Sequence, residues 1–276
     1  MEEIVGALLQ LAKVIGVPVL ASLALWAANE LYYRVFGPYR YKAILVSGSI
    51  GTPVHELSHA ITAMAFGMKV TGIRFYYPDP QSQTLGYVSY RYNPYNFVHS
   101  LGIFFTGIAP LIAASYLVYA AFYFSGLPNL HEYLILSSDE ALMHSGTVNV
   151  VGQWSADLLG KTNNWQTILV LVVAMMLGLH STPSGADLRG SMRGAFAVLV
   201  VIAAYWGVLK LLPMLPDILM VKSVEWLNHL GTAIFQLALL SILGAMVMTV
   251  VGGVVSLYTR YRNKPLDPAS QVPDNS

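Results

Sequence analysis

The 276-residue chain contains no cysteine, which excludes disulfide bonds and thiolate ligands for a metal ion. Charge is also scarce: 11% of the residues are charged and 55% are hydrophobic, whereas a soluble domain carries about 25% charged residues. The 15 basic and 14 acidic side chains nearly cancel, so no basic surface for a nucleic-acid partner is expected. The composition therefore predicts an integral membrane protein.

Six stretches have the composition of membrane-spanning helices, because a span needs roughly 20 mostly apolar residues. The fourth of them is short for a span. We expect an all-α polytopic membrane protein with about six transmembrane helices, five or seven being the alternatives. The stretches cover residues 4–36, 43–66, 97–124, 165–180, 186–212 and 231–258.

The segment between the second and third stretches has a different character. VTGIRFYY (70–77) and LGYVSYRY (85–92) are rich in β-branched and aromatic residues and flank the polar turn PDPQSQT. This pattern predicts a small β-hairpin over residues 70–92. Because lipid cannot satisfy the backbone of a sheet edge, the hairpin should lie at the membrane interface or line a cavity.

The rest of the chain predicts a single transmembrane domain over residues 1–264. Residues 125–164 are interpreted as a long acidic connection, and the polar tail at 265–276 is expected to be disordered. With six spans and a cytoplasmic N-terminus, the acidic connection lies outside, as the positive-inside rule favours. We therefore expect a multi-pass protein of the plasma membrane, or of the cytoplasmic membrane in a prokaryote.

The sequence HELSH at residues 55–59 places three ionisable side chains in one of the most apolar stretches. Residues four apart share one face of a helix, so His55 and His59 can offer imidazole nitrogens to a single metal ion. Zinc suits two imidazoles plus one carboxylate and lowers the pKa of a water in its fourth position. Glu56, one step round the helix, can take that water's proton and deliver it to a leaving amine.

Two further expectations attach to this motif. Thr52 is a good N-cap and Pro53 suits a first helical position, so the ligand helix is predicted to begin at Pro53 and to end before Gly67. His55 would then lie in its first turn. The alternative to a metal site is a structural hydrogen-bond cluster between helices.

A third metal ligand has several possible sources. Asp187 is the favoured one, since a lone aspartate framed by apolar segments needs a strong partner. It could instead stabilise a helix N-terminus or pair with Arg189 or Arg193. His180 and His144 are rival ligands, and His180 could also orient a ligand or stabilise an oxyanion.

Four segments together resemble the site-2 protease family of intramembrane zinc metalloproteases. HELSHAITAMAFG is similar to the first core helix of that family, and the hairpin is similar to its membrane-associated β-hairpin. FFTGIAPLIAASYLV resembles the second core helix, with Ala114 and Ser115 where an asparagine is expected. SGADLRG occupies the place of the aspartate motif on the third core helix, although no Asn-Pro precedes it.

This resemblance implies a catalytic core over residues 43–200 that holds one Zn²⁺ through His55, His59 and Asp187. It implies that Glu56 is the catalytic acid and base, acting on a peptide bond in or near a transmembrane segment of a substrate protein. The hairpin at 70–92 would capture that segment by strand addition, and its tyrosines could equally be interfacial anchors. No PDZ or cystathionine-synthase-type domain is visible, so the chain resembles a compact member.

Three other functions remain open from the sequence. The chain could be an inactive membrane scaffold that binds partner helices, or a metal transporter that uses the same ligands. A different membrane metalloprotease class also uses H-E-x-x-H but takes a glutamate as third ligand. For that class the sequence offers Glu132 and Glu140.

Overall fold

The computed structural model of the protein describes residues 40–81, 84–136, 139–211 and 216–262 and a few positions between 23 and 34. This part of the chain is mostly helical and contains one two-stranded antiparallel sheet. Most of the first expected stretch (4–36) and the tail at 265–276 lie outside these residues. The elements in chain order are α1 (Arg40–Ala65), β1 (Lys69–Arg74), β2 (Tyr87–Arg91), α2 (Phe97–Phe124), α3 (Leu130–Leu136), α4 (Asp139–Gly160), α5 (Trp165–Leu179), α6 (Gly185–Leu211) and α7 (Pro216–Arg262).

Three helices in the described part of the chain are long and apolar enough to cross a membrane. They are residues 97–124 in α2, 185–205 in α6 and 225–259 in α7. This supports an integral membrane protein, although it is fewer than the six spans expected. The 15-residue α5 is apolar but short, as the sequence indicated. Polar residues interrupt α1, and the first stretch is mostly outside the described residues.

The exposed side of the helix α1 nevertheless carries mostly apolar side chains, with Ser49 exposed among them. Its exposed large side chains recur at helical spacing, which is the pattern of a helix that presents one side to lipid. Glu56 and His59 are buried on the opposite side of the helix. The exposed large apolar side chains are Val46, Ile50, Leu57, Ile61 and Met64.

The predicted start of this helix at Pro53 is wrong. α1 begins at Arg40 and runs through Pro53 without a break, so His55 lies in the second half of a 26-residue helix. A proline removes only the hydrogen bond to the carbonyl four residues earlier, here that of Ser49. Helices packed among neighbours in a membrane tolerate this loss.

The predicted end of α1 before Gly67 is confirmed. Gly67 has φ +74°, a left-handed conformation that glycine adopts without a steric penalty. The amide of Met68 donates to the carbonyl of Ala63, and the amide of Gly67 donates to that of Met64, each at 2.9 Å. These two bonds form a Schellman motif, which ends the helix and turns the chain into the hairpin.

The predicted β-hairpin is also confirmed. β1 and β2 pair antiparallel from Lys69 opposite Arg91 to Arg74 opposite Tyr87, with a bulge near the start of β1. Both strands contact α1. The hydroxyl of Tyr76 donates to the carbonyl of Leu45 at 2.8 Å. The hairpin is therefore fixed against the same helix that carries His55, Glu56 and His59.

The expected connection at 125–164 contains two helices, α3 and α4, which the sequence did not predict. α4 is kinked at Gly146, which has φ +70°. Val150, Trp154 and Leu158 are buried one turn apart. Trp154 and Leu158 join the main core, and the indole of Trp154 donates to the carbonyl of Pro128. This i, i+4, i+8 spacing is the signal of a helix that the acidic composition obscured.

The helix α2 is the centre of the packing. It contacts α1 on one side, α6 on another, and α5 and α7 as well. The main core lies between α2, α5 and α7 and includes Val118, Phe122, Leu237 and Leu240, all nearly inaccessible. This arrangement brings the middle of α1, the middle of α2 and the beginning of α6 together.

Candidate metal centre

Three sequence-predicted residues converge where these helices meet. Nε2 of His55 lies 3.1 Å from Nε2 of His59. Oδ1 of Asp187 lies 3.3 Å from Nε2 of His59, and its Oδ2 lies 3.7 Å from Nε2 of His55. Asp187 is 128 residues beyond His59 in the chain, yet one ligand atom from each of the three residues lies within 4.8 Å of the others.

Backbone carbonyls fix the orientation of both imidazole rings. Nδ1 of His55 lies 2.7 Å from the carbonyl oxygen of His180, and Nδ1 of His59 lies 2.8 Å from that of Thr106. A carbonyl oxygen can only accept, so each Nδ1 carries a proton and donates it. In the neutral rings each Nε2 atom then carries no proton, and the lone pairs of both Nε2 atoms face Asp187.

Asp187 is held by the first turn of α6. Its Oδ2 accepts the amide of Ser184 at 2.7 Å, and Ser184 Oγ accepts the amide of Asp187 at 3.2 Å. This reciprocal pair is a capping box, in which a serine N-cap and a carboxylate three residues later satisfy free amides at the helix start. The helix-capping alternative and the metal-ligand prediction are therefore compatible, because Oδ1 remains directed at His59.

The spacing of the three ligands suits a metal ion. Bonds of about 2.0–2.2 Å in a tetrahedral arrangement separate ligand atoms by roughly 3.3–3.6 Å. The observed separations of 3.1, 3.3 and 3.7 Å bracket that range. Two unprotonated Nε2 atoms 3.1 Å apart also repel each other unless a cation or a proton lies between them. The group can hold a metal ion.

The rival ligands do not join this group. The ring of His180 is turned away, with Nε2 at 2.9 Å from Ser47 Oγ, whose own proton goes to the carbonyl of Ala43. His180 thus contributes its backbone carbonyl, which corresponds to the orienting role considered from the sequence. Glu132 lies on α3 and lines a different cavity. The side chains of His144 and Glu140 lie outside the described residues.

Glu56 borders a cavity beside the three ligands. It is 9% exposed, and the cavity has a volume of about 350 Å³. α1, the loop after α5 and the approach to β2 form the walls. The lining side chains include Thr52, His55, Glu56, Leu85 and His180. A carboxylate with access to this space can exchange protons with a molecule bound in it.

Glycines allow the close approaches that build the site. A Cβ at Gly107 of α2 would lie 2.5 Å from the carbonyl oxygen of Asp187, and one at Gly51 would lie 2.6 Å from Cβ of His180. A Cβ at Gly86 would lie 3.0 Å from Cγ of Glu56. The side chain of His180 therefore fills the space next to Gly51.

The tyrosines of the hairpin differ in their surroundings. Tyr76 anchors the hairpin on α1, and Tyr77 and Tyr87 are exposed. Tyr90 is half-buried between the hairpin and α2. Burial is the main cause that raises the pKa of Tyr90, and the negative charge of Asp187 adds to it. The hairpin therefore extends to the neighbourhood of Asp187.

One departure from the resembled family is visible on α2. Where an asparagine is expected, Ala114 is buried and Ser115 donates its hydroxyl to the carbonyl of Leu111 at 2.7 Å. Neither side chain can orient a bound molecule. Comparisons of the chain with protein-family models, with curated proteins and with solved structures found no match. The resemblance therefore rests on the quoted motifs alone.

Proposed function

We propose that the protein is an intramembrane zinc metalloprotease that hydrolyses a peptide bond in or near a transmembrane segment of a membrane-protein substrate. The observation that carries this proposal is the convergence of His55, His59 and Asp187 next to Glu56. Two imidazoles and one carboxylate are the ligand set of catalytic zinc sites, which keep a fourth position open. These three residues would hold one Zn²⁺ per chain.

The chemistry divides between the ion and the chain. Zinc at this site would supply Lewis acidity, which polarises a carbonyl and makes water acidic near neutral pH. Glu56 takes a proton from the attacking water while the water oxygen forms a bond to the carbonyl carbon of the peptide. Glu56 then delivers that proton to the nitrogen as the C–N bond breaks, so an amine and a carboxylic acid leave. His180 and Thr106 keep the two imidazoles oriented throughout.

The hairpin supports an extended substrate. A helical peptide bond is shielded because its carbonyl is already hydrogen-bonded, so the cleaved segment must be unwound. The sheet consists of β1 and β2 alone in the described part of the chain, so each strand has one edge free to pair with an added strand. The hairpin packs on α1, so a segment added there lies close to Glu56.

The proposal includes a six-span arrangement with a cytoplasmic N-terminus. α2, α6 and α7 would be three spans, because they are long and apolar enough, and α1 would be a fourth because its exposed face is mostly apolar. α5 and the first stretch would complete the set. In this arrangement the metal ligands of α1 lie at membrane depth, where ionisable groups are retained for function.

A second candidate function is an inactive scaffold that binds partner helices. One observation favours it: Ser115 is buried and bonded to its own helix where the resembled family has an asparagine. Such a protein would keep the metal and the fold without turnover. It would bind the same partner with Glu56 replaced by alanine.

The test uses purified protein in lipid vesicles with a panel of single-span transmembrane peptides labelled at both ends. The wild type should cleave at least one peptide, and Glu56→Gln should cleave none while it retains the metal. A panel that the wild type binds but never cleaves would favour the scaffold. Identical products from the wild type and from Glu56→Gln would refute the proposed role of Glu56.

A further inference from the structure

Pro110 stands in the interior of α2, where a proline removes a hydrogen bond. In an α-helix the amide of each residue donates to the carbonyl four residues earlier. The carbonyl that Pro110 leaves without its donor is that of Thr106. This is the same carbonyl that accepts Nδ1–H of His59 at 2.8 Å.

The second ligand is oriented by the same kind of group. His180 is the C-cap of α5, and the last carbonyls of a helix have no intrahelical donor. Its carbonyl accepts Nδ1–H of His55 at 2.7 Å. Both histidines thus bond to helical carbonyls that lack their usual partner. One carbonyl is free because a helix ends, and the other is free because a proline interrupts the ladder.

The hydrogen bond between His59 and the Thr106 carbonyl is buried. Thr106 and Pro110 are both almost inaccessible, and the contact joins α2 to α1 across their interface. A buried carbonyl without a donor is unfavourable, and a buried imidazole N–H without an acceptor is equally so. The pairing of these two groups satisfies both.

We propose that Pro110 is a positioning residue of the metal centre: by withholding an amide from the Thr106 carbonyl, it reserves that carbonyl for His59. This inference rests on the metal centre proposed above. The bond keeps the proton on Nδ1 and leaves Nε2 as the lone pair that faces Asp187. Partners of this kind set the tautomer and the ring orientation of metal-ligating histidines.

The test is Pro110→Ala in the full-length protein. Alanine restores the amide, which turns the Thr106 carbonyl back along the helix axis and away from His59. Zinc affinity, measured by competition with a chromophoric chelator, should fall about 10- to 100-fold. The melting temperature of the metal-free protein should change little, because the better helix propensity of alanine offsets the loss of the buried proline ring and of the His59 hydrogen bond. If Pro110 had only a structural role, zinc affinity and melting temperature would fall together.

A second readout needs no metal. In metal-free protein labelled with ¹⁵N-histidine, the shifts of His59 should report a proton on Nδ1 in the wild type. In Pro110→Ala they should report a mixture of tautomers. Thr106→Val is the matched control, because Oγ1 of Thr106 has no hydrogen-bond partner in the described part of the chain and the backbone carbonyl is kept. This control should bind zinc as the wild type does.

The outcomes separate the inference from the proposed function. Equal zinc affinity in Pro110→Ala and the wild type overturns the inference alone, and so does an equal loss in Thr106→Val. A wild type that binds no zinc overturns the metal centre and the inference together. If Pro110→Ala does not fold, residue 110 is replaced by the α-hydroxy acid of alanine, which has no amide. Wild-type affinity in that ester supports the inference, and a loss overturns it.

Discussion

The ring of His55 donates its Nδ1 proton to the backbone carbonyl of His180, 2.7 Å away. A residue that the sequence offered as a rival ligand therefore acts through its main chain. Its own ring bonds to Ser47 and does not face Asp187. A substitution at His180 should consequently leave the proposed zinc ligands in place, since any residue supplies the same carbonyl.

Replacement of the proposed general base should separate metal binding from turnover. Glu56→Gln removes the carboxylate that carries the proton but keeps its shape, so zinc content should be unchanged. Cleavage should fall at least about 100-fold, the lower range for a positioned acid–base group. The measurement is the cleavage rate of a transmembrane peptide beside the zinc content of the same sample.

Glu132→Gln is the control for this substitution, because Glu132 is exposed and lines a different cavity. It should cleave at the wild-type rate. If Glu132→Gln abolished cleavage and Glu56→Gln did not, the assignment of the base would be wrong, and a glutamate-liganded site would replace it.

The capping box of α6 should matter for the metal as well as for the fold. Ser184→Ala removes the hydroxyl that accepts the amide of Asp187, which destabilises a helix by about 1 kcal/mol. The freed first turn should also loosen Asp187, so zinc affinity should weaken several-fold. Melting temperature and chelator competition measure the two effects.

Asn164→Ala provides the matched control, since Asn164 caps α5 through the amide of Thr167 at 2.7 Å. It should lower the melting temperature by a similar amount and leave zinc affinity unchanged. If both variants weakened zinc equally, the capping box would act only through overall stability.

The close approach of α2 and α6 should tolerate no methyl group. A Cβ at Gly107 would meet the carbonyl oxygen of Asp187 at 2.5 Å, and such overpacking costs about 1–3 kcal/mol. Gly107→Ala should therefore lower the melting temperature and displace the third ligand. Gly152→Ala is the control, because a methyl there meets nothing within 4 Å and alanine favours the helix. Zinc content and thermal unfolding of both variants test this. Unchanged zinc content in Gly107→Ala would contradict it.

Metal removal should destabilise the wild type. A ligand that binds only the folded state adds about 2.7 kcal/mol when it is present at 100 times its dissociation constant. A chelator should lower the melting temperature, and added zinc should restore it. Asp187→Asn should respond weakly to both. Equal responses in the two proteins would place the zinc elsewhere.

Local patterns in the sequence were sufficient for several elements. HELSH put two imidazoles on one helical face, and Gly67 marked the end of α1. Two segments rich in β-branched and aromatic residues around a polar turn indicated the hairpin. These features depend on contacts between neighbouring residues. The helix start predicted at Pro53 was wrong because it also depended on a local signal. Packing keeps α1 continuous through Pro53 and overrides that signal.

Other features could not be read from the chain because they depend on tertiary contacts. Nothing local links His59 to the carbonyl of Thr106, although the interior Pro110 shows that one carbonyl of α2 lacks a donor. The roles of Gly107 and Gly51 also appear only when a second helix approaches them. Asp187 was identified because it is a lone carboxylate among apolar segments, and only the fold could show that Ser184 holds it.

The account depends most on one measurement: the zinc content of the purified wild type, Asp187→Ala and His180→Ala, determined side by side. We predict one zinc per chain in the wild type, little or none in Asp187→Ala, and nearly full occupancy in His180→Ala, which retains the carbonyl bonded to His55. A wild type without stoichiometric zinc would contradict the metal centre. Full zinc in Asp187→Ala with loss in His180→Ala would contradict the choice of the third ligand.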